Sequence, residues 1–177
     1  MARTPIDLAR VIRDVPDFPK PGILFKDITT VLEHPEAFAA AVDGLDGLLA
    51  QAPCDRLAAI ESRGFVFGAP LALRRGVPLA LVRKAGKLPA ATRQVTYALE
   101  YGTATIEAHV DSFRPGDRVV IVDDLLATGG TAAAAAALVA QAGATVTGFL
   151  FLVELEFLPG RAALAGLAPV MSLVKFA

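Results

Sequence analysis

Residues 118–131 read Arg-Val-Val-Ile-Val-Asp-Asp-Leu-Leu-Ala-Thr-Gly-Gly-Thr, and their types suit the holding of a phosphorylated sugar. A β-branched run, Val119 to Val122, ends in two carboxylates, Asp123 and Asp124. Ala127, Thr128, Gly129, Gly130 and Thr131 then lead into an alanine-rich run that predicts a helix. Backbone N–H groups in a first helical turn lack intrahelical partners, and the helix dipole adds positive potential there. Gly129 and Gly130 let the backbone approach an anion closely, while Thr128 and Thr131 add hydroxyl donors. Two acids would repel a phosphate itself, but they suit the hydroxyls of a sugar attached to it, or a metal. The alternative is a structural strand-to-helix turn with an aspartate N-cap. The loop has neither the Gly-x-x-x-x-Gly-Lys-[Ser/Thr] spacing nor the Gly-x-Gly-x-x-Gly spacing of the common nucleotide loops.

The elements around this loop read as an alternation of strand and helix. Residues 56–60 form a short apolar strand running into Glu61-Ser-Arg-Gly, followed by a helix over 65–75 that Gly76 ends. A second strand spans 78–83 and runs into Arg83-Lys-Ala-Gly-Lys. Residues 105–110 alternate, with Ile106, Ala108 and Val110 on one face and Thr105, Glu107 and His109 on the other. This order predicts an α/β fold with a mostly parallel sheet flanked by helices. In such a sheet the three strand-end loops share the carboxyl edge and make one site. Arg63, Arg83, Lys84 and Lys87 then face the acids of the third loop, which suits a second, highly charged anion such as pyrophosphate.

Towards the N-terminus, Thr4 and Pro5 predict a helix start reaching about Arg13. Residues 15–31 are proline-rich and without periodicity, which predicts a long functional loop. Apolar positions at helical spacing follow over 35–51. Residues 84–102 are polar and basic, again without core periodicity.

A chain of 177 residues is long enough for one well-buried domain. A net charge of −1, from 17 basic and 18 acidic residues, gives no global pull towards nucleic acid or an anionic membrane. The single cysteine, Cys54, excludes an internal disulfide framework and fits a reducing cytoplasm. Residues 125–153 carry no charge, but their glycines, threonines and Gln141 predict a soluble core rather than a membrane span. His34 and His109 read as structural.

The segment Val120-Ile-Val-Asp-Asp-Leu-Leu-Ala-Thr-Gly-Gly-Thr resembles the phosphoribosyl-diphosphate (PRPP) motif of type I phosphoribosyltransferases. Four further segments narrow the resemblance to the adenine phosphoribosyltransferase family. They are Phe18-Pro-Lys-Pro-Gly-Ile-Leu-Phe-Lys-Asp-Ile-Thr, Glu61-Ser-Arg-Gly-Phe-Val-Phe-Gly, Val82-Arg-Lys-Ala-Gly-Lys-Leu-Pro and Tyr97-Ala-Leu-Glu-Tyr-Gly. Together they cover nearly the whole chain, in the family's order.

The resemblance implies a single domain over 1–177, with an N-terminal hood over about 1–34 and a flexible lid loop over about 85–103. It implies a purine-salvage reaction in which adenine and PRPP give AMP and pyrophosphate, with Mg²⁺ carried by the substrate rather than by a protein ligand set. Residues 127–131 would hold the 5′-phosphate, and Asp123 and Asp124 the ribose hydroxyls and the positive charge developing on the ribose. Ser62, Arg63, Lys84 and Lys87 would hold the departing pyrophosphate, with Arg83 beside them, and the Glu61–Ser62 peptide is often cis in this family. Glu100 would serve proton traffic at the purine N7, and Tyr101 would help close the lid. Phe25 would pack on the purine plane, backbone groups of Leu24 and Lys26 would read its edge, and Leu155 would cover the other face. A cytoplasmic homodimer is the implied assembly. Ala85 departs from the family pattern, standing where proline or a basic residue is common.

Two rivals stand beside this reading. One is a phosphoribosyltransferase for a 6-oxopurine, against which the hood and the Leu-Glu-Tyr-Gly segment argue. The other is a non-enzymatic PRPP sensor, which would be expected to lose lid residues or gain a basic nucleic-acid face.

Overall fold

A computed structural model of the chain describes residues 6–98 and 102–177, which cluster into two units, 1–44 and 45–177. In the first unit, α1 (Leu8–Val11) is shorter than the 4–13 helix expected. Its N-cap is Asp7, whose carboxylate accepts from the Ala9 N–H at 3.1 Å. Thr4 and Pro5 lie outside the described residues. The expected loop over 15–31 is instead largely structured. β1 (Arg13–Pro16) pairs antiparallel with β2 (Leu24–Asp27), and α2 (Thr29–Glu33) follows. Strands of four residues are too short to show a period, and charges hold them instead. Arg13 faces Asp27 at 2.5 Å and Lys26 faces Asp14 at 2.6 Å, both directly across the ladder. The connecting turn contains a cis Phe18–Pro19 peptide, and Asp17 accepts from the Gly22 N–H at 2.8 Å. The helix expected over 35–51 is α3 (Pro35–Leu49), which opens on proline.

In the second unit the alternation follows the sequence closely. β3 (Arg56–Ile60), α4 (Arg63–Arg75) and β4 (Leu79–Lys84) come first. α4 ends where expected, at Gly76 in the left-handed region (φ 62°), whose N–H bonds back into the last turn. β5 (Thr92–Ala98) and β6 (Thr103–His109) form an antiparallel pair. Then come β7 (Arg118–Leu126), α5 (Gly130–Gln141), β8 (Thr145–Leu155), α6 (Gly160–Ala163) and β9 (Val170–Phe176). The seven strands lie in the order β5-β6-β4-β3-β7-β8-β9. β4, β3, β7, β8 and β9 are mutually parallel, and the β5–β6 ribbon adds an antiparallel edge.

Burial explains this order. Val119, Val120, Ile121 and Val122 are all fully buried, as a parallel strand covered on both faces requires. The uncharged run over 125–153 becomes α5 and β8 at the heart of the sheet, and no helix among the described residues is long and apolar enough to cross a membrane. The near-pure alanine of α5 makes it thin, so Ala132, Ala134, Ala135 and Ala136 pack closely in the same core as Val95 and Tyr97. That packing corrects the view of 84–102 as wholly irregular. β5 is an edge strand with one partner, and only Val95 and Tyr97 face the core, which leaves too weak a period to read.

Close approach of α4 to the sheet rests on Gly68, where an added Cβ would stand 2.7 Å from Ala59 Cβ. Gly68→Ala should therefore lower stability by about 1–3 kcal/mol through overpacking, read as a lower urea midpoint with unchanged slope.

Candidate active site

The site is built where three parallel strands end. Ile60 is level with Val82 on β4, and Ala59 with Val122 on β7, so the chain leaves β3, β4 and β7 at one edge. After β3, Ser62 is the N-cap residue of α4 but makes no side-chain capping bond, and the Glu61–Ser62 peptide is cis, as the resemblance implied. After β7, Gly129 is the N-cap of α5 at φ 81°, again with no side-chain cap. The aspartate N-cap of the alternative reading is not formed at α5. Two helix N-termini with uncapped amides thus open at the same edge, a setting that favours anions.

Glycine permits the close contacts. A Cβ on Gly64 would stand 2.7 Å from the Val122 carbonyl oxygen and 3.1 Å from Asp123 Oδ1. With hydrogen there, the first turn of α4 seats against the end of β7, and Arg63 meets Asp124. At Gly129 a Cβ would stand 2.7 Å from the Gly160 carbonyl oxygen, so the start of α6 packs directly against the loop over 127–131.

A cavity of about 500 Å³ gathers Ser62, Arg63, Arg83, Lys84, Lys87, Asp123, Asp124 and Thr131 around one space. A hollow of about 90 Å³ is lined by Ala127, Thr128, Gly129, Gly130 and Thr131, and it shares Asp123 and Thr131 with the larger cavity. Every expected phosphate, ribose and pyrophosphate residue therefore lines one of two neighbouring spaces that share Asp123 and Thr131. Leu155 lies at the end of β8, opposite Phe176, and lines neither. Leu24, Phe25 and Lys26 belong to β2 in the first unit. There Leu24 is exposed, and Phe25 meets the Phe18 ring edge-on at 5.1 Å. The Lys26 ammonium holds Asp14. Glu100 and Tyr101 lie outside the described residues.

Opposite charges in the cavity pair with one another. Arg63 Nε donates to Asp124 Oδ2, and Asp124 is buried. The Asp124 N–H in turn donates to Asp123 Oδ1 at 2.8 Å. Burial, and then the neighbouring Asp124 carboxylate, push the Asp123 carboxyl well above the usual aspartate range. Arg83 donates from Nη2 to Glu61 Oε1 at 2.7 Å and from Nη1 to the Lys87 carbonyl at 2.9 Å, while its buried Nε has no hydrogen-bond partner among the described residues. The Arg83 guanidinium holds the Glu61 carboxyl below its ordinary range. Lys84 and Lys87 are exposed, and their side chains offer positive charge to the cavity.

Three residues had no role in the sequence reading. Glu61 stood in a motif, yet it ties the two cationic loops together through Arg83 and the Lys84 N–H (3.0 Å). The Tyr97 hydroxyl reaches Thr131 Oγ1 at 2.8 Å and joins β5 to the phosphate loop. Glu107 was placed on the polar face of its strand, which suggested solvent, but it is buried. The missing signal is register across the sheet, because Glu107 lies opposite both Arg83 and Gln94. His109 accepts weakly from the Ala90 N–H at 3.4 Å, a structural contact.

Residues 29–156 match the family profile described as phosphoribosyl transferase domain. An adenine phosphoribosyltransferase of a Synechococcus species is 52% identical over 171 residues, covering 97% of this chain and 99% of that protein. The crystal structure of adenine phosphoribosyltransferase from Thermoanaerobacter pseudethanolicus superposes with a TM-score of 0.93 at 52% identity, covering 96% of this chain and 98% of that one. The Saccharomyces cerevisiae enzyme, solved with D-2,5-dideoxy-2,5-imino-altritol 1,6-bisphosphate and adenine, gives 0.87 at 41% identity, over 94% and 96% of the two chains. With the fold, the neighbouring cavities and these likenesses in agreement, the chain belongs to the adenine phosphoribosyltransferase family, on the type I phosphoribosyltransferase fold.

Proposed function

We propose that this chain transfers the phosphoribosyl group of PRPP to adenine, giving AMP and pyrophosphate. The observation that carries this reading is the pair of neighbouring cavities, lined by cations of two strand-end loops and by carboxylates and uncapped helix amides of the third. A ligand with phosphate at one end and diphosphate at the other matches that distribution of charge. Residues 127–131 receive the 5′-phosphate on the amides of the first turn of α5 and the threonine hydroxyls. Ser62, Arg63, Lys84 and Lys87 receive the diphosphate, and Arg63 exchanges Asp124 for it. Arg83 acts by holding Glu61 and the Lys87 carbonyl.

In the reaction the bond between ribose C1 and the diphosphate oxygen breaks, and its electron pair leaves with pyrophosphate. Adenine N9 forms the new bond to C1, and Glu100 takes the proton released at N7. Asp123 and Asp124 meet the ribose hydroxyls, and their negative field favours the positive charge that develops on the sugar. The hood, through Phe25 and the backbone of Leu24 and Lys26, recognises the 6-aminopurine. Leu155 covers its other face, and the lid with Tyr101 excludes water, which would otherwise compete with adenine.

Mg²⁺ fits the site as an ion carried by PRPP. Asp123 and Asp124 add hard oxygens beside the substrate phosphates, the donor set this ion takes. When bound, the ion neutralises charge on the diphosphate. A cytoplasmic homodimer suits the exposed apolar Leu73 and Phe157 and the single free thiol, Cys54, whose ionisation burial disfavours.

Two measurements follow. With PRPP and Mg²⁺, adenine should support nucleotide formation at least about 10²-fold faster than hypoxanthine, guanine or xanthine; a preference for a 6-oxopurine would overturn the adenine reading. Asp123→Asn should separate stability from activity. The native Asp123 retains its proton above the range in which it ionises unfolded, so it costs stability as pH rises from there. The substrate-free variant should match the parent below about pH 4 and be more stable than it at pH 7, read as a higher urea midpoint. Its AMP formation should fall about 10²-fold.

A further inference from the structure

We propose that Glu107 is a positioning residue for the diphosphate end of the site, fixing the backbone of Lys87 and Leu88 so that the cationic loop after β4 faces the substrate. The proposal rests on the reading above that this loop receives the diphosphate of PRPP. Glu107 does not line the cavity and is only 2% exposed. Its Oε1 accepts from the Lys87 and Leu88 N–H groups, each at 2.9 Å. Its Oε2 accepts from Gln94 Nε2 at 3.0 Å and Thr92 Oγ1 at 3.2 Å. These donors are backbone amides and uncharged side chains, whereas a buried carboxylate commonly takes a cation as its direct partner.

The geometry gives these bonds a purpose. The loop turns at Gly86, in the left-handed region at φ 81°, and beyond the Ala85 N–H bond to the Thr105 carbonyl (3.0 Å) no strand pairing sets the path of residues 86–88. Arg83 bonds the Lys87 carbonyl from one side and Glu61 bonds the Lys84 N–H. Glu107 anchors the next two residues, Lys87 and Leu88, and of Arg83, Glu61 and Glu107 it alone does not line the cavity. The Lys84 and Lys87 stems are long and exposed, so the reach of their ammonium groups is set by where the backbone is pinned. Burial raises the Glu107 carboxyl, but the amide and Gln94 bonds outweigh it and hold it down to about 2. The anchor is therefore charged at neutral pH, and its contribution to stability fades only as pH falls from about 4.5 towards 2.

The test compares Glu107→Ala, Glu107→Gln and Glu107→Asp with the parent. AMP formation is assayed with each substrate varied, and Mg²⁺-pyrophosphate binding is measured by calorimetry. Alanine removes both loop bonds, so KM for PRPP and Kd for pyrophosphate should rise about tenfold or more, while KM for adenine stays within about twofold. Glutamine keeps the length and one oxygen for the two amides, and Thr92 and Gln94 can turn to suit its NH₂, so it should restore KM for PRPP to within about threefold of the parent. Aspartate keeps the charge but withdraws the oxygens, so it should do worse than glutamine. That order decides the matter even if the alanine variant does not fold. Aspartate outperforming glutamine, an unchanged KM for PRPP in the alanine variant, or kcat and both KM values moving in step would overturn the proposal. A parent protein that forms no AMP would instead sink the functional reading, and the pyrophosphate titration would still report on Glu107.

Discussion

Parallel pairing of β3 with both β4 and β7 is the constraint on which everything at the site depends. Because Ile60 lies level with Val82 and Ala59 with Val122, three chain crossings occur side by side at one edge. A right-handed crossover sends each helix back over the sheet, so a parallel strand pair delivers the N-terminus of the following helix to that same edge. The buried Val119 to Val122 run and the glycines of α4 hold this register tightly. A slip of one residue in β7 would turn Asp123 and Asp124 to opposite faces from those they now occupy.

The second consequence is electrostatic. Gathering Arg63, Arg83, Lys84 and Lys87 at one edge would create strong repulsion, and the chain offsets it with Glu61, Glu107 and the Asp123–Asp124 pair. Arg63 and Asp124 neutralise one another, so an anion arriving at Arg63 meets a paired guanidinium rather than a bare cationic pocket. Asp123 is buried beside the Asp124 carboxylate, and burial first, then that neighbouring charge, hold its carboxyl well above the usual aspartate range. A ligand that brings hydroxyls and positive charge to Asp123 and phosphates to Arg63 relieves both halves of the arrangement.

Much of this was legible in the sequence, for local reasons. Parallel strands buried on both faces announce themselves as apolar runs, and Gly76 and Gly129 mark helix ends through backbone conformations that favour glycine. Residues that end such strands share an edge, so Ser62, Arg63, Lys84, Lys87, Asp123 and Asp124 could be grouped before any coordinates. What stayed hidden depends on partners distant in sequence. β1 and β2 are short and held by cross-strand charges, and β5 has a single neighbour, so neither segment carries a period. Glu107 sits on the polar side of an alternating strand, and only the register that sets it opposite Arg83 and Gln94, with the loop over 84–88 above it, makes it a buried anchor. Tyr97 read as part of a lid motif, whereas its hydroxyl belongs with Thr131 in the phosphate loop.

The central claim is that one sheet edge divides a single substrate between a phosphate cradle and a cationic loop pair. A crystal structure with Mg²⁺ and PRPP tests it most directly. The account predicts the 5′-phosphate on residues 127–131, the ribose hydroxyls at Asp123 and Asp124, and the diphosphate against Arg63, Lys84 and Lys87. PRPP bound in the reverse sense, or lying away from Asp123 and Asp124, would contradict it.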